Sequence, residues 1–166
     1  MKFIKPTATY SNIYYTPSDL SCAITAHFKP SGKLLDPYYG NGSFYNELIK
    51  YSTDCDWTEL EMGKNFFAYS NKVDWIITNP PFSNGFREHL KHALEIASNI
   101  VFLITLNHFT TSARLKLIDD YGFYIREILY VSAPKTFPQS GFQLAVVYLN
   151  KVKGDCKIQH LKTINK

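Results

Sequence analysis

Strand-like and helix-like segments alternate along the first two thirds of the chain, and this alternation limits the possible folds more than any other feature. Residues 73–78 (VDWIIT) are rich in β-branched and aromatic side chains, and residues 100–106 (IVFLITL) are continuously apolar. Between them, residues 86–97 carry apolar side chains at helical spacing. Apolar strands joined by helices are typical of parallel sheets that are covered on both faces. The sequence therefore predicts an α/β protein with a mostly parallel, doubly wound sheet.

The flanking segments extend this pattern. Thr16 and Pro17 are typical of an N-cap and a first helical position, and they predict a helix that ends near residue 28. Strands 124–131 and 143–149 have no helix between them, so we expect an antiparallel strand at one edge of the sheet. The remaining predicted elements are strands 33–36 and 55–60 and helices 44–49 and 114–121.

Composition indicates a folded protein and argues against several other classes. Of the 166 residues, 45% are hydrophobic and 19% are charged, which fits a single domain over residues 1–166. A net charge of +4 permits a polyanionic partner without requiring one. The three cysteines lack CxxC spacing, so we expect neither a metal site nor a disulfide framework. No apolar stretch resembles a signal peptide or a membrane span, and we expect a cytoplasmic protein.

The most informative segment begins where strand 73–78 ends, with Asn79, Pro80, Pro81 and Phe82. Ligands of open α/β sheets bind outside the carboxyl ends of the strands, which is where this loop is expected to lie. Two consecutive prolines fix φ and remove two backbone donors, so the loop is stiff and has free carbonyl acceptors. A proline-rich loop that merely closes a strand is the alternative for so short a motif.

The groups of this loop suit the methylation of an exocyclic amine. The lone pair of such an amine is delocalised into the ring, which makes the nitrogen a poor nucleophile. Acceptors placed on its two hydrogens help the nitrogen to become tetrahedral, and an aromatic plate holds the base flat. We predict that the Asn79 Oδ1 atom, the Pro80 carbonyl and the Phe82 ring act in these roles through positioning and electrostatics.

A second segment, residues 34–44 (LLDPYYGNGSF), has the pattern of a strand, a glycine turn and a helix. This order of elements is the geometry of many nucleotide-type cofactor sites. Gly40 and Gly42 allow a close approach of the backbone to a ligand, although an ordinary tight turn would use them equally. About 20 residues further on, Glu59 can accept hydrogen bonds from both hydroxyls of a ribose, and Glu61 is its rival.

Together and in this order, these segments resemble class I S-adenosylmethionine-dependent methyltransferases that act on amino groups. Residues 36–44 (DPYYGNGSF) resemble the first motif of the family, D-P-x-x-G-x-G-x-F, and residues 78–82 (TNPPF) resemble its N-P-P-[FYW] catalytic motif. Residues 14–20 (YYTPSDL) resemble the cofactor-contacting motif before the first strand. The resemblance covers about residues 12–150 and is to DNA adenine-N6 methyltransferases, including small phage-type ones.

The resemblance implies a Rossmann-like methyltransferase fold, S-adenosylmethionine as cofactor, and adenine N6 in DNA as the methyl acceptor. The implied catalytic residues are Asn79, Pro80, Pro81 and Phe82. The implied cofactor-binding residues are Tyr15, Thr16 and Pro17 at the methionine end, Asp36, Pro37, Gly40 and Gly42 along the pocket, Glu59 at the ribose, and Asn65 and Phe66 at the adenine ring. Asn65 stands where the family commonly has Asp. The residues implied to pack against the target base are Phe137 or Phe142.

Several alternatives remain open at this point. Only a short segment follows the last predicted strand, so we expect no separate target-recognition domain. Sequence specificity would come from short loops or from a partner subunit, or it would be low, and a homo-oligomer is an alternative to the partner subunit. RNA adenine N6 and protein glutamine N5 are alternative acceptors, although the glutamine enzymes usually carry Tyr where Phe82 stands. Single-stranded substrates avoid the cost of flipping a base out of a duplex. A non-catalytic, partner-dependent methyltransferase subunit is a further alternative.

The sequence also offers basic residues that could contact phosphates. They lie on predicted helices or near their ends, and solvated helix faces explain them equally well. These residues are Arg87, Lys91, Arg114 and Lys116.

Overall fold

A seven-stranded sheet forms the centre of the computed structural model, which describes residues 14–81, 85–137, 139 and 141–161. The strands are β1 (Leu34–Asp36), β2 (Cys55–Trp57), β3 (Val73–Thr78), β4 (Ala97–Thr105), β5 (Tyr124–Tyr130), β6 (Leu144–Asn150) and β7 (Lys157–His160). They lie in the order β2-β1-β3-β4-β6-β5-β7 across the sheet. The predicted mostly parallel α/β sheet is confirmed.

Five helices and two 3₁₀ turns accompany this sheet within the described ranges. The helices are α1 (Ser18–Phe28), α2 (Tyr45–Leu48), α3 (Phe86–Ile96), α4 (Leu106–Phe109) and α5 (Ser112–Asp120), and the turns are Leu60–Met62 and Phe66–Ala68. In α3, the apolar residues Phe86, Leu90 and Ala93 recur at helical spacing and are buried, as the sequence predicts. Among the described residues, no helix combines the length and apolarity that crossing a membrane requires.

The sheet is covered on both faces, as a doubly wound fold requires. One core packs residues of α3 and α5 against the sheet, and the other packs residues of α1 and α2 against its opposite face. Neighbouring residues of β3 point to opposite sides, since Ile76 belongs to the first core and Ile77 to the second. Both are fully buried, which explains why this strand has a continuous apolar sequence.

The antiparallel strand lies inside the sheet and not at its edge as the sequence predicted. β6 runs antiparallel to both β4 and β5, whereas the outermost strand, β7, runs parallel to β5. The full burial of Ala145, Val146 and Val147 is the physical reason, because an interior strand covered on both faces needs apolar side chains on both. β7 itself was missed because it has four residues, all exposed.

The order in which the chain adds strands to the sheet changes side at β1. The chain passes from β1 to β2 on one side and then returns to β3 on the other side, and both neighbours run parallel to β1. Open α/β sheets bind ligands in the crevice that forms at such a reversal, outside the carboxyl ends of the strands. The end of β1 is Asp36, and the residue that follows β3 is Asn79. The fold therefore brings the two predicted motifs to one crevice.

Candidate active site

Asp36 closes β1 at this crevice. Asp36 is 1% exposed, and its Oδ1 atom accepts hydrogen bonds from the Thr78 hydroxyl at 2.7 Å and from the Tyr38 amide at 3.3 Å. The Thr78 bond ties the ends of β1 and β3 together. Burial raises the pKa of the Asp36 carboxyl to about 6, although the Thr78 hydrogen bond opposes this rise. The Oδ2 atom is buried and has no hydrogen-bond partner among the described residues.

The turn after Asp36 has a backbone that favours glycine at two positions. Gly40 and Gly42 have φ of +53° and +82°, a region that side chains rarely adopt. A Cβ at Gly42 would lie 2.9 Å from the Tyr39 ring, and a Cβ at Gly40 would lie 3.3 Å from the Tyr15 ring. Both positions therefore require glycine, because the turn has positive φ and packs closely against the Tyr15 and Tyr39 rings.

Glu59 lies directly beneath this turn. Its Oε2 atom accepts a hydrogen bond from the Gly40 amide at 2.9 Å, and its Oε1 atom accepts one from the Glu61 amide at 3.4 Å. Pro37 is buried, and its carbonyl accepts the hydroxyl of Thr58, the residue before Glu59, at 2.7 Å. Glu61 is exposed, and its carboxylate forms no hydrogen bond or ion pair among the described residues. Of the two carboxylates that the sequence offered, the structure brings Glu59 to the glycine turn.

The predicted catalytic loop begins with Asn79, whose side-chain nitrogen has a hydrogen-bond partner and whose side-chain oxygen has none among the described residues. The Asn79 Nδ2 atom donates a hydrogen bond to the Tyr14 carbonyl at 3.0 Å. This bond fixes which side-chain atom is the amide nitrogen, because a carbonyl can only accept. The Oδ1 atom is buried, with no hydrogen-bond partner in the described part of the chain. Pro80 is buried and Pro81 half-buried, and Phe82 lies outside the described residues.

The segment before α1 connects both motifs. The Tyr14 carbonyl holds Asn79, and the Thr16 carbonyl accepts the Ser43 hydroxyl at 2.6 Å. Thr16 is buried, whereas Tyr15 is half-exposed at the glycine turn. Pro17 is the N-cap residue of α1, so the helix begins one residue later than the sequence predicted. Thus the structure brings the predicted residues 15–17 to the same crevice as Asp36 and Asn79.

The ring exposed at the predicted adenine-binding segment is Phe67 and not Phe66, which the resemblance implied. Phe66 is 4% exposed and packs in the core, whereas Phe67 is 47% exposed. The Phe67 ring lies 4.8 Å from the His89 ring, at an open cavity of about 490 Å³. Asn65 caps the short 3₁₀ turn that contains both rings, and its Oδ1 atom accepts a hydrogen bond from the Phe67 amide at 3.0 Å. This turn points the first phenylalanine inward, so Phe67 is the ring that can contact a ligand directly.

A hydrogen bond that the sequence did not suggest joins the glycine turn to the helix after the catalytic loop. The Tyr38 hydroxyl lies 2.5 Å from the His89 Nδ1 atom of α3. Burial lowers the pKa of His89, so the ring is neutral at neutral pH and can share one proton with the phenol. The two residues are 51 positions apart, and no motif or spacing in the sequence links them.

We expect Tyr38→Phe to destabilise the fold by about 1–2 kcal/mol, since it leaves a ring nitrogen of His89 without its partner. The measurement is urea unfolding at pH 8. Tyr124→Phe is the matched control, because Tyr124 is 36% exposed and its hydroxyl has no hydrogen bond among the described residues. Equal midpoints for the two variants would show that the Tyr38 bond contributes nothing to stability.

The two candidate aromatics for the target base lie in different environments. Phe137 is 4% exposed, and its ring lies 6.1 Å from the Tyr14 ring, beside the segment that holds Asn79. Phe142 is 57% exposed and lines a separate groove next to the ends of β5 and β7. Phe137 is therefore the one of the two that the structure brings towards Asn79, and Phe142 is not.

The basic helix residues are engaged with neighbours on the protein. Arg114 donates to the backbone carbonyl of His108. The other three form ion pairs within their own helix, namely Arg87 with Glu88, Lys91 with Glu95, and Lys116 with Asp120. Exposed pairs of this kind are weak and screened by salt. They favour the interpretation as solvated helix faces over that of dedicated phosphate contacts.

Several solved methyltransferase structures are similar to this fold. The M protein of the type I restriction enzyme EcoKI has a TM-score of 0.66 and 17% identity, and the match covers 87% of this chain and 45% of that protein. A modification subunit attributed to a type I restriction enzyme of Vibrio vulnificus YJ016 has a TM-score of 0.63 and 15% identity, and the match covers 92% and 48%. A Listeria monocytogenes protein assigned to the class I S-adenosylmethionine-dependent methyltransferases has a TM-score of 0.64 and 14% identity, and the match covers 95% and 69%.

At these identities the likeness shows the fold, which is the Rossmann-like methyltransferase fold that the sequence predicted. The chain spans less than half the length of the two restriction-enzyme subunits. No protein-family model matches the sequence, and no curated protein matches it significantly.

Proposed function

We propose that this chain transfers a methyl group from S-adenosylmethionine to the N6 atom of adenine in DNA. The observation that carries the proposal is the state of Asn79. Its Oδ1 atom is buried without a hydrogen-bond donor among the described residues, while its Nδ2 atom is held by the Tyr14 carbonyl. A buried acceptor without a donor costs about 1–3 kcal/mol, so such an atom calls for a donor from a ligand. An exocyclic amine supplies such a donor.

The groups around Asp36 suit the proposed cofactor. S-adenosylmethionine carries an ammonium and a sulfonium, and it would supply a methyl group that is activated by the positive sulfur. The buried Asp36 Oδ2 atom has no partner among the described residues and would accept the ammonium. Gly40 and Gly42 give the turn after Asp36 its positive φ, and the half-exposed Tyr15 ring packs on that turn. Glu59 has a carboxylate at the same turn for the ribose hydroxyls.

Aromatic side chains complete the proposed cofactor and substrate sites. The half-exposed Phe67 ring and the cavity beside it suit the adenine ring of the cofactor, in place of the buried Phe66. Asn65, which caps the same turn, would accept from the amine of that ring in place of the usual Asp. On the substrate side, we assign the Phe82 ring to the target base. The buried Phe137 ring packs beside Tyr14 and supports the segment that holds Asn79, so it does not itself stack on the base.

The chain's own groups account for the chemistry that this reaction needs. The Asn79 Oδ1 atom and the Pro80 carbonyl accept from the two amine hydrogens, which frees the nitrogen lone pair from the ring. Held by Asp36, Glu59 and Phe67, S-adenosylmethionine would supply the methyl carbon to this nitrogen and would keep the electron pair of the broken carbon–sulfur bond on its sulfur. The surplus proton of the nitrogen then leaves to water, so no side chain is needed as a base.

DNA is the proposed polymer because two of the similar solved structures belong to type I restriction enzymes. One is the M protein of EcoKI, and the other is described as a modification subunit. The net charge of +4 permits a polyanion but does not distinguish DNA from RNA. We further propose that a partner subunit or a second copy supplies additional contacts to the substrate, because the similar Vibrio vulnificus protein is described as one subunit of a larger enzyme.

The proposal is tested by incubation of the full chain with tritiated S-adenosylmethionine and adenine-containing substrates. The arms are single-stranded DNA, duplex DNA and total RNA, and each product is digested to nucleosides for chromatography. The expected result is label in N6-methyladenine from DNA. Label in RNA alone would replace DNA by RNA as the substrate. Calorimetry that detected no S-adenosylmethionine binding would contradict the cofactor assignment.

A further inference from the structure

A groove outside the candidate active site has the composition of a nucleobase pocket. It holds about 610 Å³ and lies where β5 and β7 end and β6 begins. Its lining combines two exposed aromatic rings, Tyr130 at 37% and Phe142 at 57%, with the polar side chains of Gln139, Gln143 and His160. Flat aromatic surfaces beside amide groups bind bases, because the rings stack on the base while the amides bond to its edge.

The two glutamines present their acceptor atoms, not their donors. The Gln143 Nε2 atom donates to the Val131 carbonyl at 3.1 Å and to the Leu144 carbonyl at 2.7 Å. The Gln139 Nε2 atom donates to the Pro134 and Phe137 carbonyls at 3.1 and 3.0 Å. Both amide nitrogens are therefore used within the loop, and neither Oε1 atom has a partner among the described residues. Two such acceptors suit the amino group of a base.

The groove opens on the same edge of the sheet as Asn79. β5 runs parallel to β4 and β3, because β6 is antiparallel to both of its neighbours, so β3 and β5 end on the same side. β5 lies three strand spacings from β3, about 14 Å at about 4.8 Å per spacing. One nucleotide of a stacked strand rises about 3.4 Å, so this distance corresponds to about four nucleotides, or fewer if the strand is extended.

We infer that this groove binds an unpaired base that flanks the target adenine, within about four nucleotides of it on the same strand. The inference rests on the proposed function and adds a substrate class to it, namely single-stranded nucleic acid around the methylated base. A base that stacks on Phe142 must leave a duplex stack, which a single strand allows at lower cost. Lys135, which is exposed in the loop between β5 and β6, would supply a cation for a phosphate of that strand.

The test measures the affinity of fluorescent single-stranded DNA with one adenine and one abasic residue, placed at each flanking position in turn. The proteins are the wild type, Phe142→Ala, Phe142→Trp and Tyr124→Ala. Tyr124 is the matched control because it is 36% exposed on β5 but lies at the opposite end of that strand from Tyr130. The expected result is one position at which the abasic residue weakens wild-type binding about tenfold.

At that position, Phe142→Ala should bind intact and abasic DNA equally, whereas Phe142→Trp and Tyr124→Ala should keep the difference. An abasic effect that is absent at every position, or that persists in Phe142→Ala, would overturn the inference. The same oligonucleotides are then tested for methylation. An abasic effect without methylation would contradict the proposed function alone. Methylation without an abasic effect would contradict only the inference that the groove beside Tyr130 and Phe142, the flanking-base groove, binds a base.

Discussion

Replacement of Asn79 by alanine is expected to lower kcat for methyl transfer at least about 100-fold, because it removes an acceptor that the amine needs only as it becomes tetrahedral. Affinity for S-adenosylmethionine should change less than about threefold, since the assigned cofactor contacts lie on the other segments. The measurements are single-turnover methylation of the preferred nucleic acid and calorimetric titration of the cofactor. A wild-type kcat in this variant would show that Asn79 takes no part in the methyl transfer.

Asn79→Asp tests the acceptor role of this side chain separately from its hydrogen bond to the Tyr14 carbonyl. Aspartate keeps an acceptor oxygen but can no longer donate to the Tyr14 carbonyl, which Asn79 does at 3.0 Å. We therefore expect an activity between those of the wild type and Asn79→Ala, with a thermal midpoint lowered more in Asn79→Asp, because its buried carboxylate also faces the Tyr14 carbonyl. Equal activities of the two variants would indicate that Asn79 acts only by tying the loop to the segment before α1.

The two motifs could be predicted from the sequence because each is local. The prolines end β3 by removing backbone donors, and the glycines are placed where φ is positive. The burial of Phe66 and the exposure of Phe67 could not be predicted in the same way, since they depend on a single 3₁₀ turn capped by Asn65. The bond between Tyr38 and His89 joins distant parts of the chain and leaves no periodic signal.

The edge of the sheet shows a further limit of local patterns. The continuous apolar run of β6 does indicate an interior strand, and the sequence-based prediction of an edge hairpin did not use that signal. β7 has no such signal, because its side chains are exposed and the strand exists only by pairing with β5. The flanking-base groove depends on both strands, so its position follows from the structure and not from the sequence.

The ionised Asp36 carboxylate is expected to stabilise the complex with the cofactor and to destabilise the free protein. Burial raises the pKa of its carboxyl from 3.8 to about 6, which means that the fold favours the neutral acid. The native state then binds more protons than the unfolded state between these two pH values, so this group lowers the free energy of unfolding as pH rises from about 4 to 6. Above pH 6, the ionised Asp36 costs the free protein about 3 kcal/mol.

We therefore expect Asp36→Asn to raise the thermal midpoint of the free protein above pH 6 and to weaken cofactor binding at the same time. The amide keeps the oxygen that accepts from Thr78 and Tyr38 but introduces an unpaired donor, so the net gain should be about 1–2 kcal/mol. The gain should disappear below about pH 4, where the wild-type carboxyl is neutral in both states. The measurement is thermal unfolding across this pH range.

The binding half of this prediction has its own pH signature. If the Asp36 carboxylate pairs with the ammonium of the cofactor, wild-type affinity should fall as pH is lowered through about 6, and the Asn variant should lack this dependence. Calorimetry in two buffers of different ionisation enthalpy should show that the wild type releases a proton on cofactor binding at pH 5.5. It should show no such release from Asp36 at pH 8, or from Asp36→Asn at either pH. A variant that is more stable yet binds the cofactor normally would leave Asp36 as a strained structural residue, and the ammonium would have to bind elsewhere in the crevice.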